Sequence, residues 1–240
     1  MTLLLLAGAG EAKRMAAALK GRDVVASLAG VTRDPVPLPL PTRVGGFGGA
    51  DGFRTYLKQT RISAVLDATH PFASRITRRT AVICAERGLP FTQFLRPPWV
   101  PEEGDQWTDI ACEEDAAQHI SSDATVFLGT GRQTLDRFAN LAGRRVICRQ
   151  IDPPDGPFPF EGGEFLVGRP PFSVDDEVAL FARLGVDWLV VKNAGGSPSR
   201  TKLTAARQLG IKVLMLARPP KGNWPVVTTV PEALAWVDQL

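Results

Sequence analysis

A glycine-rich turn follows the first apolar run of the sequence and could bind phosphate groups. Gly8, Ala9, Gly10 and Glu11 come directly after Leu3–Ala7 and open a stretch of strong helix formers. Glycines let the backbone turn sharply and approach a pyrophosphate, whose charge faces the amino end of the following helix. The third glycine of a dinucleotide fingerprint is missing, so a simple tight turn is the alternative interpretation.

A second glycine-rich segment, RVGGFGG at Arg43–Gly49, is a further candidate contact with a ligand. Such a segment can lie close against a ligand, act as a moving lid or form a plain surface loop. We prefer the ligand interpretation because one aromatic residue, which we expect to be exposed, stands among the glycines. The candidate contacts are Gly45, Gly46, Phe47 and Gly48.

The end of the second apolar run bears on which dinucleotide would bind. It reads Ser27-Leu28-Ala29-Gly30-Val31-Thr32-Arg33, with no acid before Asp34. NAD-specific folds place an acid there for the ribose hydroxyls, whereas small residues and an arginine accommodate a 2′-phosphate. Arg33 is either that counter-charge or a solvated loop residue. The pattern favours NADPH over NADH.

The segment DATHPFA, Asp67–Ala73, ends a central apolar run and begins a helical stretch. Pro71 suits the first turn of a helix, and the carboxyl edge of a parallel sheet is where α/β folds bind ligands. Thr69, His70 and Pro71 are therefore candidate cofactor contacts. His70 is either a functional group or a hydrogen-bonded loop residue.

Two comparable turns occur in the second half of the chain. They are GTGR (Gly129–Arg132) and KNAGG (Lys192–Gly196), each after an apolar run. An ammonium at the end of an apolar strand needs a partner. A substrate carboxylate would serve for Lys192, and so would an internal salt bridge.

The elements that position these turns alternate between short apolar runs and helical stretches. The pattern predicts strands at Leu3–Ala7, Val24–Leu28, Ala64–Asp67, Phe91–Leu95, Thr125–Leu128, Val146–Arg149, Trp188–Lys192 and Val213–Ala217. It predicts helices at Glu11–Lys20, Ser74–Arg87, Gln133–Ala142, Val174–Leu184 and Ser199–Leu209. Strands without polar alternation, separated by helices, indicate parallel sheets covered on both faces.

An internal repeat divides the chain. ERGLPFTQFLRPPW, from Glu86, returns as QLGIKVLMLARPP, from Gln208, and the glycine turn of the first half returns at Gly129–Gly131. We therefore predict an α/β fold of two Rossmann-like parallel-sheet domains, residues 1–121 and 122–240. The first would bind NADP, and an inter-domain cleft would hold the ligands. The long segment Asp152–Pro171 is predicted to be a functional loop.

Composition narrows the class of protein. The chain has 240 residues, 44% hydrophobic and 22% charged, with net charge +3. That balance is typical of a globular protein and too mild for a nucleic-acid binder, but it suits a small acidic ligand. Three scattered cysteines indicate neither disulfides nor a metal site. No apolar run is long enough for a membrane span, so we expect a cytoplasmic protein, its oligomeric state left open.

Several enzyme classes lack their signatures here. There is no phosphate-loop GxxxxGK[ST], no GxSxG and no HExxH. Tyr56 is followed four residues later by Thr60, so the Tyr/Lys pair of short-chain dehydrogenases is missing. Leu6 occupies the position where a methyltransferase that binds S-adenosylmethionine usually has an acid. A non-catalytic dinucleotide-sensing module remains as the alternative to a reductase.

In this order, the motifs resemble the precorrin-6A reductase family of cobalamin (vitamin B12) biosynthesis. The similarity covers nearly the whole chain, through GEA, SLAG, RVGGFGG, DATHPFA, RPPW, TGR, Arg169–Phe172, KNAGG and KLTAAR. It implies an NADPH-dependent oxidoreductase that reduces one double bond of the precorrin-6A macrocycle, giving precorrin-6B. Where the family's first loop carries two hydroxyl residues, this chain has Ala9 and Gly10, so backbone amides must bind the phosphates.

The resemblance also implies a tetrapyrrole substrate rich in carboxylates. Positively charged and polar groups of the second half would then bind it, namely Arg132, Lys192, Asn193, Gly195 and Lys202. Hydride transfer leaves a neighbouring carbon to be protonated. His70 and Lys192 are the candidate catalytic residues for that step, with bulk water as the alternative.

Overall fold

A computed structural model describes residues 1–30, 33 and 36–240 of the chain. Its strands are β1 (Thr2–Ala7), β2 (Val24–Leu28), β3 (Thr42–Val44), β4 (Ile62–Ala68), β5 (Phe91–Phe94), β6 (Trp107–Ile110), β7 (Thr125–Leu128), β8 (Arg145–Gln150), β9 (Gly163–Val167), β10 (Trp188–Lys192), β11 (Lys212–Leu216) and β12 (Val226–Val227). Its helices are α1 (Gly10–Ala18), α2 (Gly49–Gln59), α3 (Ser74–Glu86), α4 (Val174–Leu184), α5 (Thr201–Leu209) and α6 (Val230–Asp238). Short 3-10 helices cover Glu113–Gln118, Arg132–Leu141 and Ser197–Ser199.

The strands form two parallel sheets with the same internal order. Within the described residues, one sheet runs β12-β5-β4-β1-β2-β3 and the other β6-β11-β10-β7-β8-β9. Every pair of neighbours in both sheets is parallel. The strands after each glycine turn therefore correspond one to one, as the repeat predicts. The predicted α/β class with two parallel-sheet halves is confirmed.

The chain divides into two compact units whose limits differ from the predicted ranges 1–121 and 122–240. Unit 1 comprises Met1–Pro97 and Pro219–Leu240, and unit 2 comprises Pro98–Arg218. The difference arises at the sixth strand of each sheet. β6 follows β5 along the chain but pairs with β11, and β12 follows β11 but pairs with β5. The repeat identifies two halves, but their closing strands are exchanged.

Unit 1 has a hydrophobic core on each face of its sheet. β1 alternates its apolar side chains between the faces. Leu3 and Leu5 pack with α1 and α6, whereas Leu4 and Leu6 pack with α2 and α3. Burial on both faces explains why the sequence of β1 shows no polar alternation.

Unit 2 has its main hydrophobic cluster under α4 and α5. The cluster includes Phe127 of β7, Phe181 of α4 and Leu203 of α5, all fully buried. The 3-10 helix Arg132–Leu141 packs against β8. It departs from helical geometry at Thr134 (φ −120°, ψ 19°), so the predicted helix Gln133–Ala142 is a kinked 3-10 segment.

Some elements differ from the sequence prediction. The segment predicted as a functional loop, Asp152–Pro171, contains the edge strand β9, which pairs with β8. The strands β3, β6 and β12 were not predicted, since each is short and lies at a sheet edge. The helix α2 was not predicted either. None of the helices in the described ranges combines the length and apolar character that a membrane crossing requires. Val31, Thr32 and Asp34, which belong to the segment that favours NADPH, lie outside the described residues, as does Pro35.

Candidate ligand-binding edges of the two sheets

The glycine turn after β1 lies directly against the turn after β4. The Ala9 amide donates a hydrogen bond to the Ala68 carbonyl, with the nitrogen and oxygen 3.1 Å apart. A Cβ on Gly8 would lie 3.3 Å from Thr69 Cα and 3.4 Å from the His70 nitrogen. Glycine fits best here, because a side chain would require the neighbouring backbone to shift by a few tenths of an ångström. The predicted cofactor segments Gly8–Glu11 and Asp67–Ala73 are thus in contact.

The start of α1 offers backbone N–H groups at this edge. Ala9, the N-cap residue, makes no side-chain capping hydrogen bond, and a Cβ on Gly10 would have nothing within 4 Å. The first N–H groups of a helix lack partners within the helix and attract anions. The open space around Gly10 and the absent side-chain cap fit a phosphate-binding turn.

Glu11 lies in the same first turn, and its charge is balanced inside unit 1. Its carboxylate accepts a hydrogen bond from Arg96 Nη1 at 2.7 Å, and both side chains are largely buried. An unpaired acid here would repel a phosphate group. Because Arg96 neutralises Glu11, this acid is compatible with an anion at the turn, and its backbone amide is the group available for binding.

The turns after β2 and β3 adjoin each other on the other side of β1. The Gly45 amide donates to the Leu28 carbonyl at 2.9 Å. A Cβ on Gly30 would lie 3.3 Å from Val44 Cγ1. Arg33 is exposed next to this pair of turns in sequence. In strand order, the edge therefore presents the Thr69 turn, the Gly8 turn, Gly30 and the Gly45 loop.

Arg43 holds the Gly45–Gly48 loop and was missed by the sequence analysis. Its guanidinium donates to Ser27 Oγ at 2.9 Å, to the Gly45 carbonyl at 2.8 Å and to the Gly46 carbonyl at 2.9 Å. It also lies 4.0 Å from the ring centroid of Phe47. An arginine fork satisfies several acceptors at once, so this loop is fixed by Arg43.

The expectation that Phe47 is an exposed aromatic is wrong. Its side chain is half-buried and its ring lies edge-on to two neighbours, with centroid distances of 4.8 Å to Phe53 and 5.1 Å to Tyr56. The aromatic residue anchors the glycine loop to α2. The glycines around it, rather than its ring, form the open part of the loop.

His70 is held in one orientation by its own turn. Its Nδ1 accepts a hydrogen bond from the Phe72 amide at 3.2 Å, and its ring centroid lies 5.8 Å from that of Phe72. An imidazole nitrogen that accepts an N–H cannot carry a proton itself, so the neutral ring is protonated at Nε2. The arrangement leaves Nε2 as the proton-bearing atom of a half-buried side chain.

Asp67 is a buried acid under the same turn, and the sequence analysis gave it no role. Its Oδ1 accepts a hydrogen bond from the Thr69 amide at 2.9 Å, and the residue is fully buried. Burial raises the pKa of Asp67, while hydrogen bonds from Thr77 and Thr69 act in the opposite direction. The residue fixes the backbone at the start of the Thr69 turn.

In unit 2, Lys192 ends β10 beside the turn that follows β7. Its Nζ donates to the Thr130 carbonyl at 3.3 Å. Burial lowers the pKa of Lys192, and the carboxylate of Glu113 partly offsets this effect. The two predicted turns of the second half therefore meet at this edge, as their counterparts do in unit 1.

Lys202 also reaches the turn after β7. Its Cδ is 3.5 Å from where a Cβ on Gly129 would be, and its Nζ donates to the Ser199 carbonyl at 2.9 Å. Burial, with a further contribution from the positive charge of Arg149, lowers the pKa of Lys202 from 10.5 to about 8. Its ammonium group therefore loses its proton at a lower pH than that of an ordinary lysine.

The remaining substrate candidates have partners within unit 2. The side-chain amide of Asn193 accepts from the Trp99 amide at 2.8 Å and donates to the Trp99 carbonyl at 3.0 Å. Arg132 forms an exposed ion pair with Asp155 at 3.1 Å. Gly195 has a left-handed backbone (φ 69°) that favours glycine. Asn193 and Gly195 thus shape the turn, whereas Arg132 can exchange its partner.

The candidate residues fall into two groups according to unit. Those predicted to bind a cofactor lie along the carboxyl edge of unit 1, and those predicted to bind a substrate lie along the carboxyl edge of unit 2. The two candidate proton donors, His70 and Lys192, belong to different units.

Parallel sheets with glycine turns at their carboxyl edges are typical of nucleotide-dependent α/β enzymes. One family model, described as "Precorrin-6x reductase CbiJ/CobK", matches residues 2–238. The chain belongs to this family. The predicted class, a reductase of cobalamin biosynthesis, is confirmed.

Individual relatives are similar to this chain over nearly their full length. A precorrin-6A reductase from Rhodococcus erythropolis is 45% identical over 246 residues, covering 99% of this chain and 98% of the relative. A solved structure named CobK precorrin-6A reductase is 37% identical, with a TM-score of 0.95, covering 100% of this chain and 97% of that one. A cobalt-precorrin-6A reductase from Priestia megaterium is 26% identical over 251 residues, covering 97% of this chain and 96% of the relative.

Proposed function

We propose that this protein reduces one double bond of precorrin-6A with NADPH, giving precorrin-6B. The observation that carries the proposal is the contact between the Gly8 turn and the Thr69–His70 turn. This contact lies between β1 and β4. From β1 the chain continues to β2 on one side of this point, and from β4 it continues to β5 on the other side. Ligands of open α/β sheets bind at that point.

The cofactor would lie along the carboxyl edge of unit 1. The amides of Gly8, Gly10 and Glu11 would bind the pyrophosphate, since no side chain caps this helix start. Ala9, whose amide is paired with the Ala68 carbonyl, would line the same turn. The Gly45–Gly48 loop, held by Arg43, would lie against the cofactor. Arg33 would supply the counter-charge of the 2′-phosphate, which distinguishes NADPH from NADH.

Bound NADPH supplies a hydride to a carbon of the macrocycle. The protein's part is to orient the two reactants and to provide a proton for the neighbouring carbon. His70 is our candidate for that part. In the neutral ring Nδ1 accepts from the Phe72 amide, so donation requires the imidazolium, whose formation displaces this hydrogen bond. The imidazolium would pass its Nε2 proton to the macrocycle and return to the neutral ring. Thr69 and Pro71, the neighbours of His70 in this turn, would contact the cofactor.

The carboxylates of the macrocycle would bind to unit 2. Lys192 and Lys202 offer ammonium groups at the carboxyl edge, and Arg132 offers a guanidinium whose exposed ion pair is readily exchanged. Asn193 and Gly195 would act by shaping the turn. Such charged contacts position the substrate for hydride transfer; they do not perform the transfer.

We further propose that the substrate is the metal-free macrocycle. The chain is 45% identical to a relative named for precorrin-6A, but 26% identical to one named for cobalt-precorrin-6A. Turnover of the two macrocycles should be compared at equal concentrations. Faster reduction of the cobalt form would contradict this assignment.

The experiment that tests the proposed function combines binding and turnover. Fluorescence titration should show tighter binding of NADPH than of NADH, and Arg33→Ala should narrow that difference. Anaerobic incubation with NADPH and precorrin-6A should consume both in equal amounts. Cofactor binding without turnover would favour the alternative, a dinucleotide-sensing module, and equal affinity for both cofactors would contradict the role of Arg33.

A further inference from the structure

A group of buried polar atoms in unit 2 lacks partners. Among the residues that the structure describes, Thr130 Oγ1, Thr134 Oγ1 and both amide atoms of Gln150 are buried without a hydrogen bond. Gln150 is only 6% exposed. Buried polar groups are normally paired, and leaving them unpaired is unfavourable. Several of them near one sheet edge therefore point to a partner from outside the chain, such as a ligand.

These side chains belong to the carboxyl edge of the unit 2 sheet. Gln150 is the last residue of β8, and Thr130 follows β7, the neighbouring strand. Thr134 lies in the 3-10 helix that packs against β8. Lys192, whose Nζ binds the Thr130 carbonyl, ends β10 on the other side of β7.

Gln150 and Lys192 also share one face of that sheet. Arg149 points to the α4 face, because its guanidinium binds Glu177 of α4 at 2.7 Å. Side chains alternate along a strand, so Gln150 points to the opposite face. Val191 packs in the core with α4, which places Lys192 on the opposite face as well.

The chemistry of these groups suits a carboxylate. Gln150 Nε2 and two threonine hydroxyls can donate hydrogen bonds, and Lys192 adds a positive charge. Gln150 Oε1 is an acceptor and would accept a hydrogen bond from a threonine hydroxyl or from a bridging water. The charged groups that act on Lys192 are Glu113 and Arg137, whereas the nearby Cys148 thiol is neutral because burial raises its pKa to about 12. Glu113 is itself paired with Arg137 at 2.7 Å, so it does not exclude a second acid.

We propose that Gln150, Thr130 and Thr134 form, together with Lys192, a subsite that binds one carboxylate side chain of the tetrapyrrole. The inference rests on the proposed function for the identity of the ligand. It adds three residues that specify the substrate and that do not take part in hydride transfer.

Replacing Gln150 with methionine tests the subsite. The unbranched side chain keeps the volume but makes no hydrogen bonds, so the free protein should melt at the same or a higher temperature. The Kd for precorrin-6A, measured without NADPH by quenching of tryptophan fluorescence, should rise about ten- to a hundredfold. The Kd for NADPH should stay unchanged. Thr130→Val, which keeps the shape of the side chain, should weaken macrocycle binding in the same direction.

Trp107→Phe is the matched control. Trp107 Nε1 is also buried without a partner, but Trp107 begins β6 and lies at the amino edge. This substitution should leave macrocycle binding unchanged. If Gln150→Met and Thr130→Val both bind precorrin-6A as the unmodified protein does, the subsite is refuted. An unmodified protein that binds the macrocycle but does not reduce it with NADPH refutes only the proposed reaction.

Discussion

At the scale of single residues, backbone contacts decide what the ionisable groups of unit 1 can do. The Phe72 amide occupies one nitrogen of His70, and the Thr69 amide occupies one oxygen of Asp67. The contact with Phe72 selects the Nε2-protonated tautomer of neutral His70. The contact with Asp67 fixes the backbone at the start of the turn. Neither contact requires a ligand to be present. The orientation of both side chains is therefore set by the turn itself.

Replacing His70 with alanine should separate chemistry from binding. Loss of a general acid typically costs on the order of a hundredfold in rate, so we expect kcat to fall by about that factor. The Kd values for NADPH and precorrin-6A should change less than about threefold, since neither ligand depends on this proton. Stopped-flow single turnovers, following NADPH absorbance, measure the step directly.

His119→Ala is the control for this prediction. It removes the chain's other histidine, which is exposed and should not affect turnover. A loss of NADPH affinity in His70→Ala would make His70 a cofactor contact. Unchanged turnover would leave protonation to solvent or to Lys192.

The lowered pKa of Lys202 leads us to expect that kcat/KM for precorrin-6A depends on pH. Its pKa is lowered from 10.5 to about 8, so the ammonium loses its proton as the pH rises through 8. The value of kcat/KM for precorrin-6A, which reports the free enzyme, should fall about tenfold or more across that range. Lys202→Met should have a low, flatter profile, whereas Lys212→Met, at the exposed amino end of β11, should behave as the unmodified protein.

The stability of the fold should respond to Lys202 in the opposite direction. The unfolded chain binds this proton up to pH 10.5 but the folded one only to about 8. Because the unfolded state binds more protons between these two pH values, the free energy of unfolding increases as the pH rises from about 8 to 10.5. Urea denaturation at several pH values should show the gain, and Lys202→Met should remove it. If kcat/KM and the free energy of unfolding both decreased as the pH rises through this range, the lowered pKa of Lys202 would be contradicted.

At the scale of elements, the sequence predicts the turns better than it predicts what holds them. Gly8 and His70 are found because glycine and proline mark the ends of apolar runs. Arg43 and Asp67 are not found, because their roles depend on carbonyls and amides brought near by the fold. Phe47 is predicted to be exposed but is half-buried, because its ring packs on α2, a helix that the pattern does not reveal.

The packing of the glycine loop on α2 predicts the effect of a change at Gly52. A Cβ there would lie 1.8 Å from the Phe47 carbonyl oxygen, so Gly52→Ala must displace the loop or the helix. We expect a loss of about 1–3 kcal/mol of stability, as for overpacking, and weaker NADPH binding. Gly156→Ala, where a Cβ meets nothing within 4 Å, is the control and should change neither. Full NADPH affinity in Gly52→Ala would separate the loop from the cofactor site.

At the scale of the whole molecule, the exchange of the sixth strands is what the sequence could not show. The repeat aligns the two halves, and the orders of their sheets agree. Yet β6 and β12 are so short that pattern alone assigns neither to a sheet. A linear division of the chain followed from assuming that each half completes its own sheet. In the structure, β12 follows β11 along the chain but completes the sheet that contains β5. Likewise, β6 follows β5 but completes the sheet that contains β11.

This connectivity predicts that the end of the chain stabilises the unit that contains its beginning. Ala233 of α6 is fully buried in a cluster with Leu3 and Leu5 of β1. Ala233→Asp would bury an unpaired charge there, and we expect it to cost about 3 kcal/mol or more. Hydrogen exchange at the amides of β1 should therefore accelerate by about a hundredfold, while β7, in unit 2, keeps its protection. Ala235→Asp, on the exposed side of the same helix, controls for the added charge and should leave both strands protected. If Ala233→Asp exposes β7 and leaves β1 protected, the assignment of α6 to unit 1 is wrong.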